Sequence, residues 1–392
     1  MEEPAPATFI ENPQALIAFF EQLRRLERGQ WSGVLPVVQF GDSHTAADDW
    51  TNAMRSAFQQ RFGDGGVGFS TPGLINGLRR FDVKRGNSVG WSPLGLMSAS
   101  SDGLHGMAGV SLSTTRAGEA AYVTADAARV ELQYLRQPGG GALALLEDGQ
   151  MVQTVSTDGP LGLGYVEHRP GRAAQRFEAQ TVDDLPVRLL GWVTEKPAGV
   201  TVEPLGINGA QATIFTQWDH ALLESHVARR NPALMILAYG SNETSNPKWV
   251  ADEYRFALSA ILKTLRKAAP AASILVVGPP DRMVRSRTGF VTHARLDTII
   301  EAQREAAREN HCAFWDLRTR MGGGGAMQRW VLAGAAQYDY LHFTAPGYRL
   351  IGATLFNDLM DAYVAYQRSR DRIFSASAQT TEGVSTTNDQ PR

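Results

Sequence analysis

A serine, a histidine and an aspartate are the side chains that nucleophilic acyl chemistry needs. The imidazole takes the serine proton, and the carboxylate fixes the imidazole's tautomer. Gly41-Asp42-Ser43-His44 follows a short apolar run, Val34 to Phe40, and precedes a stretch with helical periodicity. A serine at such a strand-to-helix turn can hold its hydroxyl above a sheet edge, with Gly41 letting the backbone turn closely. Helix capping by Asp42 or Ser43 explains the same tetrapeptide equally well. Asp339-Tyr340-Leu341-His342 precedes the last helical stretch. Asp and His at that spacing can share one turn with the carboxylate beside Nδ1, although a surface turn is the plainer reading. In Ala238-Tyr239-Gly240-Ser241-Asn242-Glu243, Asn242 can donate its amide to a developing oxyanion or simply cap a helix. Gly206-Ile207-Asn208-Gly209-Ala210 offers at Gly209 a backbone N–H that no side chain obstructs, though turns use glycine everywhere.

Each of these segments ends a stretch that reads as a strand. Val34 to Phe40, Ala233 to Tyr239, Ser273 to Gly278 and Ala313 to Trp315 are short apolar runs. Between them, 48–62, 219–230, 250–268, 293–310 and 347–366 carry helical periodicity. Strands alternating with helices of this length predict a parallel sheet covered on both faces, an α/β fold. The middle differs. From about His105 to Pro204 the runs are short and alternating, as in Ala128 to Leu135 and Val187 to Val193. Asp148-Gly149 between Leu143–Leu146 and Met151–Val155 predicts a hairpin. That pattern predicts an all-β sandwich. The expected organisation is therefore a discontinuous α/β domain over 1–104 and 205–371, an inserted β-sandwich over 105–204, and a disordered tail over 372–392.

Composition removes other answers. The 38 Lys and Arg balance 40 Asp and Glu to a formal charge of −2, which argues against broad electrostatic binding to nucleic acid or anionic lipid. The single cysteine, Cys312, rules out an intrachain disulfide framework and any multi-cysteine metal site. No apolar run reaches the ~20 residues that span a bilayer. Met1-Glu2-Glu3-Pro4 lacks a basic and an apolar leader region, so the chain is expected to be cytosolic or to have lost a signal peptide.

Taken together, Ser, Gly, Asn and Asp-x-x-His in this chain order make the sequence resemble the SGNH/GDSL hydrolase superfamily. The resemblance covers about residues 30–105 and 205–368 and implies a flavodoxin-like three-layer fold with a parallel sheet. It implies Ser43 as nucleophile, His342 as general base and Asp339 as the group that orients it. It assigns an oxyanion hole to the Ser43 and Gly209 N–H groups with the Asn242 amide. His44 stands where the commonest form has Leu, and no proton-transfer role is assigned to it. Ser43 and Gly209 are 166 residues apart, far more than in compact members, and the inserted β domain accounts for the gap. That layout, with Arg61 to Phe69 and Leu205 to Ala210, looks like the bacterial peptidoglycan O-acetylesterases, which carry a sandwich similar to a carbohydrate-binding module. The resemblance implies a serine esterase that removes O-acetyl groups from a glycan, with peptidoglycan MurNAc expected, in the periplasm or secreted. No cofactor, metal, nucleic acid, transmembrane segment or obligate protein partner is expected. A glycan O-acetyltransferase using the same groups and a glycan-binding protein with a vestigial hydrolase domain are the alternatives.

Other features take plainer readings. Gly63 to Gly68 lacks the Gly-Lys-Ser/Thr ending of a phosphate loop and is expected as a structural loop near the site rim. Gly322 to Gly325 reads as a linker, with a lid as the alternative. Trp91, Tyr122, Tyr134, Trp192 and Trp218 read mainly as core. His220 and His226, six apart on a predicted helix, do not share a face well, and the remaining histidines lack metal-ligand spacing. Cys312 reads as a buried structural thiol. Asp281 and Arg282, at another strand end, are candidates for shaping the pocket.

Overall fold

The computed structural model describes residues 9–171, 175–287 and 289–383. Gly33–Gly41, Leu234–Ala238 and Ser273–Val277 are buried almost throughout, and strands apolar on both faces belong in the middle of a covered sheet. The sheet runs Ile10–Glu11, Ala313–Trp315, Ser273–Val277, Leu234–Ala238, Gly33–Gly41, Ala198–Gly206. All neighbours are parallel except the Ile10–Glu11 edge. Leaving that edge aside, the order in chain numbering is 2-1-3-4-5, the flavodoxin-like arrangement, whose direction of winding reverses beside Gly33–Gly41.

Alternate residues of each strand feed two cores. Leu35, Val37, Leu234, Ile236, Leu275 and Val277 pack with Phe20, Trp50, Met54, Phe58, Leu355 and Leu359, from the helices Ile17–Glu27, Asp49–Phe62 and Ala345–Gly383. Val38, Phe40, Met235, Leu237, Ile274 and Val276 face the other way, onto His220–Arg230, Ala251–Ala268 and Leu296–Glu309. The period of 2 in the strands and 3.6 in the helices thus yields the three layers expected from the sequence. Among the described residues no helix is long and apolar enough to cross a membrane.

Two antiparallel sheets stack over a third core that includes Leu112, Val123, Leu132, Leu145, Phe177 and Trp192. One runs Gln150–Ser156, Ala142–Glu147, Gln175–Thr181, Ala120–Ala125, Lys84–Asn87. The other runs Gly162–His168, Arg129–Arg136, Val187–Glu195, Val110–Thr114, Ser92–Gly95, with Gly68–Ser70 also pairing Val187–Glu195. The hairpin at Asp148-Gly149 forms with both residues at positive φ, as a tight right-twisted turn demands.

The strand pairings shift the expected limits of the insert. Lys84–Asn87 is polar and shows no alternation, yet it joins a sandwich sheet. Ala198–Gly206 alternates like a sandwich strand, yet it pairs along its whole length with Gly33–Gly41. We therefore place the insert at about 68–195 rather than 105–204. At the far end, the last helix continues to Gly383, through most of the stretch expected as tail, because nothing from Arg372 to Glu382 is a helix breaker. The rest of that stretch, 384–392, lies outside the described residues, as do 1–8. Gly63–Gly68 is not at the site rim either. Asp64 bridges Val200, and Gly65 and Lys196 share a backbone hydrogen bond, which puts this loop at the opposite end of the Ala198–Gly206 strand.

Candidate active site

Gly206, Gly41 and Ala238 stand in one register row at the carboxyl ends of three adjacent strands. The segments that leave this row carry Gly209, Ser43 and Asn242. The row spans the reversal of winding, which is where open α/β sheets place their ligands. A Cβ at Gly41 would lie 2.1 Å from Thr45 Oγ1 and 2.9 Å from the Ala238 carbonyl oxygen, so only glycine lets the chain turn there. Asp42 then caps the short helix Ser43–Ala46, its Oδ1 accepting from His44 N at 2.9 Å. Both readings of the tetrapeptide hold at once: Asp42 caps, and Ser43 is presented.

Ser43 Oγ lies 2.9 Å from His342 Nε2. His342 Nδ1 lies 2.7 Å from Asp339 Oδ2. An ionised carboxylate only accepts, so Nδ1 carries the proton and Nε2 is left to accept from the serine hydroxyl. Asp339 Oδ1 also accepts from the Leu341 and His342 backbone N–H groups, at 3.0 and 2.9 Å. Burial would raise the Asp339 pKa, but the hydrogen bonds from His342 and Leu341 outweigh it and hold the carboxyl below its ordinary value. The turn is steadied from outside. Tyr340, at φ 57°, gives its carbonyl to Met283 N, and its ring stacks on Phe290 at 3.8 Å. Phe290 sits in the hairpin formed by Met283–Ser286 and Gly289–Thr292.

The three expected oxyanion donors are also on this edge. Gly209 adopts φ 76° and is exposed. Neither its N–H nor that of Ser43 has a hydrogen-bond acceptor among the described residues. The Asn242 amide donates to Ala210 O at 2.9 Å and reaches Asp42 Oδ2 only at 3.5 Å. Buried Glu243 ties the donor segments together, accepting from Ala212 N at 2.7 Å and Gly240 N at 2.9 Å. Its carboxyl and that of Asp42 are both pushed up, chiefly by burial, Asp42 to about 7.

Other candidates find plainer places. Arg282 Nη1 donates to Ser241 O and Thr244 Oγ1, both at 2.8 Å, and so braces the Asn242 segment. Asp281 is buried and accepts from Met327 N, away from the site. Gly322–Gly325 is a turn between two short helices, held by Arg329 and Thr292. Trp91, Tyr134, Trp192 and Trp218 are buried, and Tyr122 is half-buried under Arg176. Cys312 is buried and its thiol is pushed up to about 11 by that burial. Among the described residues no group of three or more His, Cys, Asp or Glu is arranged to hold a metal.

Sequence reasoning missed the support under His342. His44 is 7% exposed, with its ring 5.2 Å from the His342 ring and Nδ1 2.9 Å from Tyr348 Oη. Burial, with His342 nearby, lowers its pKa to about 3, so it stays neutral. No periodicity could pair residues 304 positions apart, though Tyr348 does fall on the buried face of the last helix.

A 2-1-3-4-5 sheet with these groups at its switch point is the SGNH hydrolase fold, and the class of protein it defines is an ester hydrolase. The chain carries a GDSL-like lipase/acylhydrolase domain: residues 163–350 match that family's model, a range that holds Gly209, Asn242, Asp339 and His342. Among solved structures the chain is similar to one described as "Peptidoglycan O-acetylesterase in action, 5 min", at 28% identity and TM-score 0.79, covering 91% of this chain and 99% of that one. A family two carbohydrate esterase from Clostridium thermocellum in complex with cellohexaose aligns at 12% identity and TM-score 0.34, over 70% of this chain and 100% of that one. The family two carbohydrate esterase from Cellvibrio japonicus aligns at 12% identity and TM-score 0.31, over 72% and 98%. Neither of these two is similar enough to bear on the substrate. A search of curated proteins found no match.

Proposed function

We propose that this chain is an esterase that removes O-acetyl groups from a glycan, with O-acetylated MurNAc of peptidoglycan as substrate, working in the periplasm or outside the cell. The observation that carries the chemistry is the unbroken hydrogen-bonded line from Ser43 Oγ through His342 to Asp339, at 2.9 and 2.7 Å. The glycan part rests on the 28% identity, spread over 91% of the chain, to a peptidoglycan O-acetylesterase.

In this reading His342 Nε2 takes the Ser43 proton as Oγ attacks the acetyl carbonyl carbon. Asp339 stabilises the imidazolium that results. Negative charge grows on the carbonyl oxygen, toward the Ser43 and Gly209 N–H groups, which have no other acceptor among the described residues, and the Asn242 amide. The imidazolium then gives its proton to the departing sugar hydroxyl. Water, deprotonated by the same imidazole, attacks the acetyl-serine carbonyl, and the imidazolium returns that proton to Ser43 Oγ as acetate is released.

Ser43→Ala and His342→Ala, assayed on p-nitrophenyl acetate and by acetate release from O-acetylated peptidoglycan, test the proposal. Each should lose on the order of 10⁴ or more in kcat on both substrates. Undiminished turnover by either variant would remove these residues from the mechanism. Faster release of acetate from acetylated xylan than from peptidoglycan would overturn the substrate.

A further inference from the structure

The cleft that opens on Ser43 and His342 has a volume of about 460 Å³. Its wall includes Asp49, Gly77, Arg79 and Asn208. The segment 71–85 that supplies Arg79 carries three arginines, and two of them are struts. Arg80 donates Nη1 to Phe69 O at 3.1 Å and pairs with Asp82 at 2.5 Å. Arg85 donates to Gly73 O at 3.1 Å and Leu78 O at 3.0 Å. The segment is also tied to the machinery, through Asn208 Nδ2 to Gly77 O at 3.0 Å and Phe81 N to Asp48 Oδ2 at 2.8 Å.

Arg79 is different. Its backbone N–H bonds Ala46 O at 3.0 Å, at the end of the nucleophile's short helix, so its Cα is fixed. Its exposed guanidinium makes no hydrogen bond or ion pair to a described residue. Asp49 is its electrostatic neighbour and is shared with Arg349, so two cations face one carboxylate there. A planar fork of N–H donors on a fixed backbone, left unpaired in a cleft, matches a carboxylate in charge and shape.

We propose that Arg79 is a specificity residue that binds a carboxylate carried next to the acetylated sugar, so that the cleft selects an anionic glycan over a neutral one. This deepens the reading of the chain as a glycan O-acetyl esterase and rests on it. The carboxylate belongs to the sugar itself, as on an acid ether or a uronic acid, or to a peptide attached to it, and glycan with and without its peptides separates the two.

The test compares wild type, Arg79→Ala and Arg79→Lys on four substrates: p-nitrophenyl acetate, a neutral acetylated xylo-oligosaccharide, an O-acetylated muropeptide, and that muropeptide with its carboxyls amidated. Arg79→Ala should lose about 10- to 100-fold in kcat/KM on the muropeptide, mainly through KM, as expected for one charge-assisted contact. It should stay within about twofold of wild type on the first two substrates. Amidation should cost wild type a similar factor and Arg79→Ala little. Arg79→Lys should recover part of the loss. Disappearance of the effect on glycan stripped of its peptides, a step that frees the ether-linked carboxyl they were joined to, assigns the carboxylate to the peptide, and its retention there shows that the sugar's own carboxyl can serve. Equal losses on neutral and anionic substrates, or none, would overturn the proposal. Full activity of Ser43→Ala would instead remove the underlying mechanism, so the two failures are distinguishable.

Discussion

Two places where charged groups gather show opposite designs. At the carboxyl edge of the sheet, Asp339 and His342 keep 45% and 31% of their side chains exposed, and a single file of hydrogen bonds runs from Ser43 through His342 to Asp339. At the seam between insert and hydrolase, Arg230 is 6% exposed and Glu203 fully buried. Arg230 Nε meets both Glu203 oxygens, at 3.0 and 2.9 Å, and Nη1 meets Glu195 Oε1 at 2.6 Å. Nearby, buried Glu131 accepts from Arg229 at 2.7 Å and Gln133 at 2.8 Å, and it also pairs with Arg129. In the proposed mechanism a proton enters and leaves the first set, and that set is the accessible one. The second set moves no proton, and each of its buried carboxylates meets at least one arginine, which keeps the buried charges from being left alone. Arg230 comes from the hydrolase helix His220–Arg230 and Glu195 from the sandwich strand Val187–Glu195, so the seam joins insert and hydrolase, beside the packing of Leu135 and Leu190 on Leu222.

Breaking each set should therefore give opposite signatures. Ser43→Ala, with its rate loss on the order of 10⁴, should unfold at nearly the wild-type denaturant midpoint. Arg230→Ala should do the reverse. It leaves Glu203 buried without its cation and should cost about 3–5 kcal/mol in urea unfolding. The fraction still folded should turn over p-nitrophenyl acetate within a few-fold of wild type. A stability loss below about 1 kcal/mol would place the seam among weak surface pairs.

The sequence made the site edge far more legible than the seam. Ser43 and Asn242 each sit within a few residues of an apolar run, and the strand register brings those run ends together, while the Asp-x-x-His spacing marks His342 in the loop before the last helix. The three layers followed from the same runs, because burial on both faces leaves no alternative for Leu234–Ala238. Partners set only by tertiary packing stayed hidden. Arg230 reads as an ordinary basic residue at a helix end, and nothing local marks Glu203 as its counter-ion. Lys84–Asn87 has no strand pattern because its polar residues sit at a sheet edge. Ala198–Gly206 misled for the opposite reason, an alternating pattern inside a parallel sheet.

The next contrast lies within the site, between Asp339, whose carboxyl is held low, and Asp42, pushed up to about 7 by burial. From pH 4 to 7 folded Asp42 keeps a proton that the unfolded chain has given up. Its contribution to stability therefore falls as pH rises through that window and is fully lost above about 7. Asparagine still accepts from His44 N and carries no charge. Asp42→Asn should thus gain stability over wild type as pH rises from 4 to 7, by at most about 4 kcal/mol at one unit per ~1.4 kcal/mol. Urea melts at several pH values check this, and a constant offset between the two proteins would show that Asp42 titrates normally.

The smallest effect separates the two neighbouring histidines. His342 exchanges protons in the proposed mechanism, whereas His44 is a neutral wedge beneath it, held at Nδ1 by Tyr348. His44 Nε2 already has no partner, so losing the tyrosine hydroxyl leaves the ring with no hydrogen bond from either nitrogen. Tyr348→Phe should therefore cost about 1–2 kcal/mol of stability, the usual penalty for one buried group left unpaired. Phenylalanine keeps the ring packing against Phe343 and His44, so kcat should fall only a few-fold and the pH profile of kcat/KM should keep its midpoint. A shifted midpoint would mean that the His44–Tyr348 pair tunes His342 electrostatically. An unchanged midpoint with a modest rate loss would confine the pair to holding the ring of His342 where Ser43 can reach it.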